Sequence, residues 1–141
     1  MFFLLKKVRP SEKMLRRLSK KDRPGLKIEL PKREPTLLEK GRTAFSNGQY
    51  ADALHFFSQA LQLDPNNAWN WHGRGDALQL MGDSTGALQA YERACALQPQ
   101  TALHWGGKAN ALRRLQRSAE SDSARRRALE LDQSIAWLFN D

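Results

Sequence analysis

Large apolar and small residues recur along this chain at a spacing of 34 positions. Trp71 returns as Trp105, Leu78 as Leu112 and Pro65 as Pro99, while Gly41 is matched by Gly75, Gly48 by Gly82, Ala53 by Ala87 and Phe57 by Tyr91. Ala60, Ala94 and Ala128 stand in register across three copies, as do Leu63, Leu97 and Leu131. A period of this length marks stacked supersecondary units, none of which buries its apolar face alone. The pattern predicts paired helices near 36–47 and 50–63, 67–81 and 84–97, and 101–115 and 118–131. Gly48 and Gly82 fall at turns inside hairpins, Pro65 and Pro99 between hairpins, and Asn67 and Thr101 at N-cap positions.

Within the second copy, the order Trp71, Arg74, Gly75, Leu78, Ala87, Tyr91 and Pro99 resembles the tetratricopeptide (TPR) signature. Arg74 stands where that signature has Leu, and Leu78 where it has Tyr. The first copy matches through Leu37, Lys40, Gly41, Ala53, Phe57, Ala60 and Pro65. The third is degraded: Ala109 replaces the glycine, Ser121 the alanine, Arg125 the aromatic and Gln133 the proline. The resemblance implies an all-α solenoid of three antiparallel hairpins, with repeats at about 34–67, 68–101 and 102–133. Gly75 and Ala87 are expected where two helices cross, with Trp71 and Tyr91 filling the space beside them. Ile135, Trp137, Leu138 and Phe139 predict a short helix over 134–141 that partly caps the last hairpin, and this apolar end is also a candidate homodimer surface.

Charge changes the picture at the other end. The net charge is +8, and residues 1–35 hold twelve Lys/Arg against four Asp/Glu, while 36–141 hold eleven of each. Residues 1–35 read as an extension with an apolar tip, Phe2 to Leu5, and a short helix from Ser11 to Ser19. An extended connector comes next, punctuated by Pro24, Pro31 and Pro35 and expected to lean on the repeats. Its basic arm comprises Lys6, Lys7, Arg9, Lys13, Arg16, Arg17, Lys20, Lys21 and Arg23. The apolar stretch from Met1 to Leu5 is too short for a secretory signal, and nothing approaches the roughly 18–20 apolar residues of a membrane span. A lone cysteine, Cys95, fits a reducing compartment. The expected location is cytoplasmic, with peripheral attachment to a membrane surface as the alternative that the arm suggests.

No catalytic constellation emerges. Gly73 to Gly75 lacks the third glycine of a dinucleotide loop, Gly106 to Ala109 lacks the hydroxyl residue of a phosphate loop, and His55, His72 and His104 have no metal-ligand spacing. Neither a cofactor nor a metal is expected. What the resemblance implies instead is a groove lined by the first helix of each hairpin. Its phase assigns Leu38, Arg42 and Phe45 in repeat one, Trp69, His72, Asp76 and Gln79 in repeat two, and Leu103, Asn110 and Arg113 in repeat three. Phe45, Trp69 and Leu103 are candidate anchors, and Arg42, His72, Asn110 and Arg113 candidate partners for a peptide's polar groups; the alternative is that Phe45 and Trp69 pack against the N-terminal connector. TPR domains that grip a C-terminal carboxylate use lysine, asparagine and arginine where this chain has Leu38, Arg42, Gly73, Leu103 and Gly107, so no such clamp is expected. The expected function is a non-catalytic adaptor or assembly factor with a protein or peptide partner of acidic surface. The rival is docking of the arm to nucleic acid or an anionic membrane, with the repeats holding a second partner.

Overall fold

The computed structural model describes residues 32–140. The chain divides into two units, and the second, which begins at Pro35, is the body of helical repeats. The predicted short helix at 11–19, the extended connector up to residue 31 and the basic arm lie outside the described residues.

Six helices form three antiparallel hairpins: α1 (Leu37–Ser46) with α2 (Tyr50–Leu63), α3 (Ala68–Leu80) with α4 (Ser84–Leu97), and α5 (Ala102–Arg114) with α6 (Ser118–Leu131). A short 3-10 segment, Gln133–Phe139, completes the repeat body. Each helix packs on the next, and the first helices of successive hairpins, α1 with α3 and α3 with α5, also touch. No strand occurs among the described residues.

Local chemistry sets the boundaries. Thr36 and Glu39 form a capping box at the start of α1, the Thr36 hydroxyl accepting from the Glu39 N–H at 3.2 Å and the Glu39 carboxylate from the Thr36 N–H at 2.8 Å. Asn67 caps α3 by accepting from the Trp69 and Asn70 amides, and Asp83 caps α4 by accepting from Gly86. Thr101 corrects the sequence reading. It supplies no side-chain cap, because its hydroxyl turns back to within 3.4 Å of Gln98 Oε1. Gly48 and Gly82 close the first two hairpins with φ of 77° and 90°, whereas the third turn forces Gln116 to φ 60°.

The spacing of 34 acquires a mechanical meaning in the core. Phe57 on α2 is almost fully buried, with its ring held between Gly41 on α1 and Gly73 on α3. A Cβ on those glycines would come within 2.6 and 2.5 Å of the ring. Tyr91 on α4 repeats the arrangement between Gly75 on α3 and Gly107 on α5, and a Cβ at Gly75 would approach to 2.8 Å. Each second-helix aromatic is thus wedged between its own hairpin and the next, so a single ring closes two interfaces. Trp71 has a different job from the one expected of it: its indole N–H donates to the Pro65 carbonyl at 2.7 Å, and Trp105 does the same with Pro99 at 2.8 Å. These bonds tie α3 and α5 to the turns that precede them.

The third hairpin has no such wedge, since Arg125 occupies the aromatic's place. Ser121, at the alanine position, donates its buried hydroxyl to the Ala109 carbonyl at 2.8 Å. The C-terminal segment supplies the missing apolar cover: Ile135 is buried against Ala102 and Ala128, with Leu138 and Phe139 beside them. Gly106 leaves room for this cap, because a Cβ there would stand 3.1 Å from Leu138. The expected helix over 134–141 is therefore a 3-10 segment ending at Phe139, capped by Asp132 accepting from the Ser134 N–H at 2.9 Å.

Two stability changes are expected. Gly73→Ala overpacks Phe57 and costs about 1–3 kcal/mol, and combining it with Phe57→Leu gives a double variant less destabilised than the sum of the two singles. Urea titration followed by helical circular dichroism measures both, and strict additivity would show that the ring and the glycine do not meet. Gln116→Gly relieves the left-handed backbone and raises stability by roughly 0.5–1 kcal/mol in the same assay.

Candidate functional site

The first helices α1, α3 and α5 carry a chain of three connected cavities. The first, of about 330 Å³, is walled by Phe45 and Trp69, floored by Phe57 and Gly73, and edged by Arg42, His72 and Asp76. The second, of about 250 Å³, is lined by His72, Asp76, Gln79, Tyr91, Leu103, Gly107 and Asn110, with Trp137 and Leu138 from the C-terminal segment on its border. The third, of about 140 Å³, lies among Asn110, Arg113, Ser121, Asp122, Arg125 and Phe139. His72 and Asp76 are shared by the first two and Asn110 by the last two, so the three form one groove.

Its floor is a consequence of the packing below it. Gly73 and Gly107 carry no side chain, so the rings of Phe57 and Tyr91 that press into them stay buried and yet line the base of the groove. In the first cavity, the Arg42 guanidinium lies 5.8 Å from the centre of the Trp69 ring, a cation–π distance. Trp69 in turn meets the edges of His72 and His104 at 5.5 and 4.7 Å between ring centres.

A line of polar groups runs beneath. His104 is completely buried; its Nε2 is 3.3 Å from Gln98 Oε1 and its Nδ1 3.1 Å from His72 Nδ1. His72 Nε2 stands 3.5 Å from Asp76 Oδ2, and the Tyr91 hydroxyl donates to Asp76 Oδ1 at 2.5 Å. With Gln98 Oε1 accepting from the His104 Nε2–H, His104 presents a bare Nδ1 to the His72 Nδ1–H. The remaining nitrogen of His72 is then an acceptor facing the carboxyl of Asp76, an order that favours a proton on Asp76.

The titration behaviour agrees with this order. Burial lowers the His72 pKa to about 4, helped by the charge of Arg42, and burial followed by the nearby His72 lowers that of His104 to about 4. Burial raises Asp76 to about 6 in spite of the hydrogen bond from Tyr91, and the Tyr91 hydroxyl is pushed up by burial and then by the charge of Asp76. At neutral pH both imidazoles are uncharged. Gln79 Oε1 is buried with no hydrogen-bond partner among the described residues.

Nine of the ten residues that the sequence phase assigns to the groove line these cavities: Arg42, Phe45, Trp69, His72, Asp76, Gln79, Leu103, Asn110 and Arg113. The tenth, Leu38, packs instead on the cluster around Ala44 and Phe57. Sequence reasoning missed His104, whose signal was its place 32 residues after His72, near the repeat period. It also missed Trp137, Leu138 and Arg125, which reach the groove only because the C-terminal segment folds over α5 and α6. The clustered arginines of repeat three are partly spoken for, with Arg117 to Glu120 at 2.7 Å and Arg127 to Glu130 at 3.6 Å. Among the described residues, no group of three or more His, Cys, Asp and Glu could hold a metal ion.

A tetratricopeptide repeat family model matches residues 44–111. No curated protein matches the chain. Among solved structures, the first TPR domain of Spaghetti (RPAP3), bound to the HSP90 peptide SRMEEVD, is similar at 26% identity and a TM-score of 0.68, over 69% of this chain and 77% of that one. The Arabidopsis OM64 TPR domain shares 24% identity with a TM-score of 0.68, over 70% and 81%. The Yersinia enterocolitica type III secretion translocator chaperone SycD shares 24% with a TM-score of 0.66, over 67% and 66%. The latter two likenesses speak for the fold alone. With the repeat model running from the first hairpin into the third, and with these domains sharing its architecture, residues 44–111 are tetratricopeptide repeats set in a TPR-like helical fold.

Proposed function

We propose that this chain is a non-catalytic adaptor or assembly factor. It holds a peptide or helix of a partner protein in the groove and meets an acidic surface of that partner with its basic N-terminal arm. The continuity of the groove carries this reading: one strip of surface crosses all three first helices, with apolar walls at Phe45 and Trp69 and polar edges at Arg42, His72 and Asn110. A segment laid along it buries apolar side chains on the walls and leaves its main chain to the polar groups, the division of labour of peptide-recognising grooves. Gln79, with a buried acceptor still unpaired, offers a place for a main-chain N–H. The RPAP3 domain, which shares this fold, carries a peptide.

The grip differs from a carboxylate clamp. Of the five places where such domains carry lysine, asparagine and arginine, this chain has a cation only at Arg42, so affinity rests on the aromatic walls. The arm adds long-range attraction: its excess of positive charge favours an acidic partner and makes association sensitive to salt. Among the described residues no helix is long and apolar enough to cross a membrane.

Pull-down from the native cell tests the reading. Trp69→Ala is expected to weaken capture of the partner by about tenfold or more, as loss of an interface anchor does, and Arg42→Glu to weaken it further. Deleting residues 1–35 should reduce salt sensitivity without abolishing capture. Capture that survives both groove variants and vanishes only with the deletion would hand recognition to the arm.

The buried polar line makes stability depend on pH. Both histidines have folded pKa values near 4 against 6.5, so on acidification from pH 6.5 the unfolded chain takes up two protons that the folded chain refuses. Asp76 opposes this: folded, it holds a proton up to about pH 6, while unfolded it releases it near 3.8. Between about pH 4 and 6 the balance is roughly one proton in favour of unfolding, so these groups lower stability as pH falls through that window. His104→Asn is expected to make the urea midpoint less sensitive to acid than that of the natural chain. Equal slopes for the two would contradict the neutral buried pair.

A further inference from the structure

One cation stands in the row of wedging aromatics. Phe57, Tyr91 and Arg125 occupy equivalent places 34 residues apart, and the first two are buried plugs. Arg125 is exposed, lies 5.3 Å from the centre of the Phe139 ring, and lines the third cavity of the groove together with Asn110 and Arg113. The C-terminal segment has taken over the packing that an aromatic would have done, since Phe139 joins the apolar cluster of Leu112 and Ala124. The position is thereby released from the core and presents a cation where the groove ends.

We infer that this third cavity is a carboxylate subsite, taking the side chain of an Asp or Glu in the partner segment that lies along the groove. Asn110 and Arg113 come from α5, Arg125 from α6, and Phe139 backs the Arg125 guanidinium, so three parts of the chain converge on a space of about 140 Å³, small enough to suit one acidic side chain. A planar guanidinium held over a ring keeps its N–H fork free for a carboxylate. Asp122 lines the same cavity and is its one anionic wall, which disfavours a second acid there.

The rest of the groove fixes where that acid falls in the partner. Positive Arg42 marks one end, the Asp76 carboxyl the middle, and Arg113 with Arg125 the other end. First helices in contact pack at about 8–10 Å, so α1 to α5 spans roughly 16–20 Å, which is about five or six residues of extended peptide. The matching segment has an acid near Arg42, a large apolar residue between Phe45 and Trp69, no acid over Asp76, and a second acid about five or six residues from the first.

This inference rests on the groove reading, and the experiment separates the two. Random peptides displayed on phage are selected on the full chain and counter-selected on its Trp69→Ala variant, which retains the basic arm, and selected sequences are then synthesised with amidated ends. Binding is measured by fluorescence anisotropy to the natural chain and to Arg125→Tyr, which removes the cation at an exposed position and whose stability is checked by urea titration. Enrichment of the spaced acids, with about a tenfold loss on Arg125→Tyr that disappears when the distal Glu is replaced by Gln, is the expected result. Trp69-dependent peptides whose affinity ignores the distal acid, or requires a free C-terminal carboxylate in its place, overturn the subsite and leave the groove. Failure to select any Trp69-dependent peptide overturns both.

Discussion

An aromatic ring held between two glycines is the contact on which this molecule depends. Phe57 fills a notch made by Gly41 and Gly73, and Tyr91 one made by Gly75 and Gly107, so each ring belongs to two hairpins at once. A single hairpin of this length has too little apolar surface to hold itself together, because its stability must come from neighbours. The ring supplies the neighbour's share of burial in one side chain, and the missing Cβ atoms let the backbones close on it. The 34-residue spacing is the sequence image of that mechanical link.

The same contact builds the groove. A first helix with a glycine facing inward cannot cover the ring behind it, so the plug of the core becomes the floor of the surface above. Groove and core are therefore not independently adjustable: enlarging Gly73 both strains Phe57 and fills the first cavity. Around this apolar base the chain places its few polar groups at the edges, together with a neutral pair of imidazoles of which His104 is buried and His72 half-buried at the groove. Uncharged His72 and His104 cost less to bury than ions would, and their hydrogen bonds to each other and to Gln98 offset part of what remains.

Most of the fold was legible in the sequence because the repeat states it three times. Helix pairs, hairpin glycines and the Asn67 cap follow from spacing and local chemistry, as do nine of the residues lining the groove. What was not legible came from places where the repeat breaks. Thr101 has the chemistry of a cap, but a rotamer choice sent its hydroxyl to Gln98. Leu38 has the groove phase, but it stands on the terminal first helix, where packing toward Phe57 wins. His104 occupies the place of Asn70 in the preceding repeat, and only the stacking of α3 on α5 reveals that it meets His72. Trp137 and Phe139 belong to a segment outside the periodicity, so no phase could place them.

The central claim is that the wedged rings join three hairpins into one cooperative unit with a ready-made groove, and native-state hydrogen exchange at increasing urea measures this directly. The account predicts that the slowest amides of α2, α3, α4 and α5 converge on one opening free energy, reached together as the global unfolding reaction takes over. Amides before and after Pro99 that open at separate free energies, each with its own urea dependence, would show hairpins that merely adjoin and would contradict it.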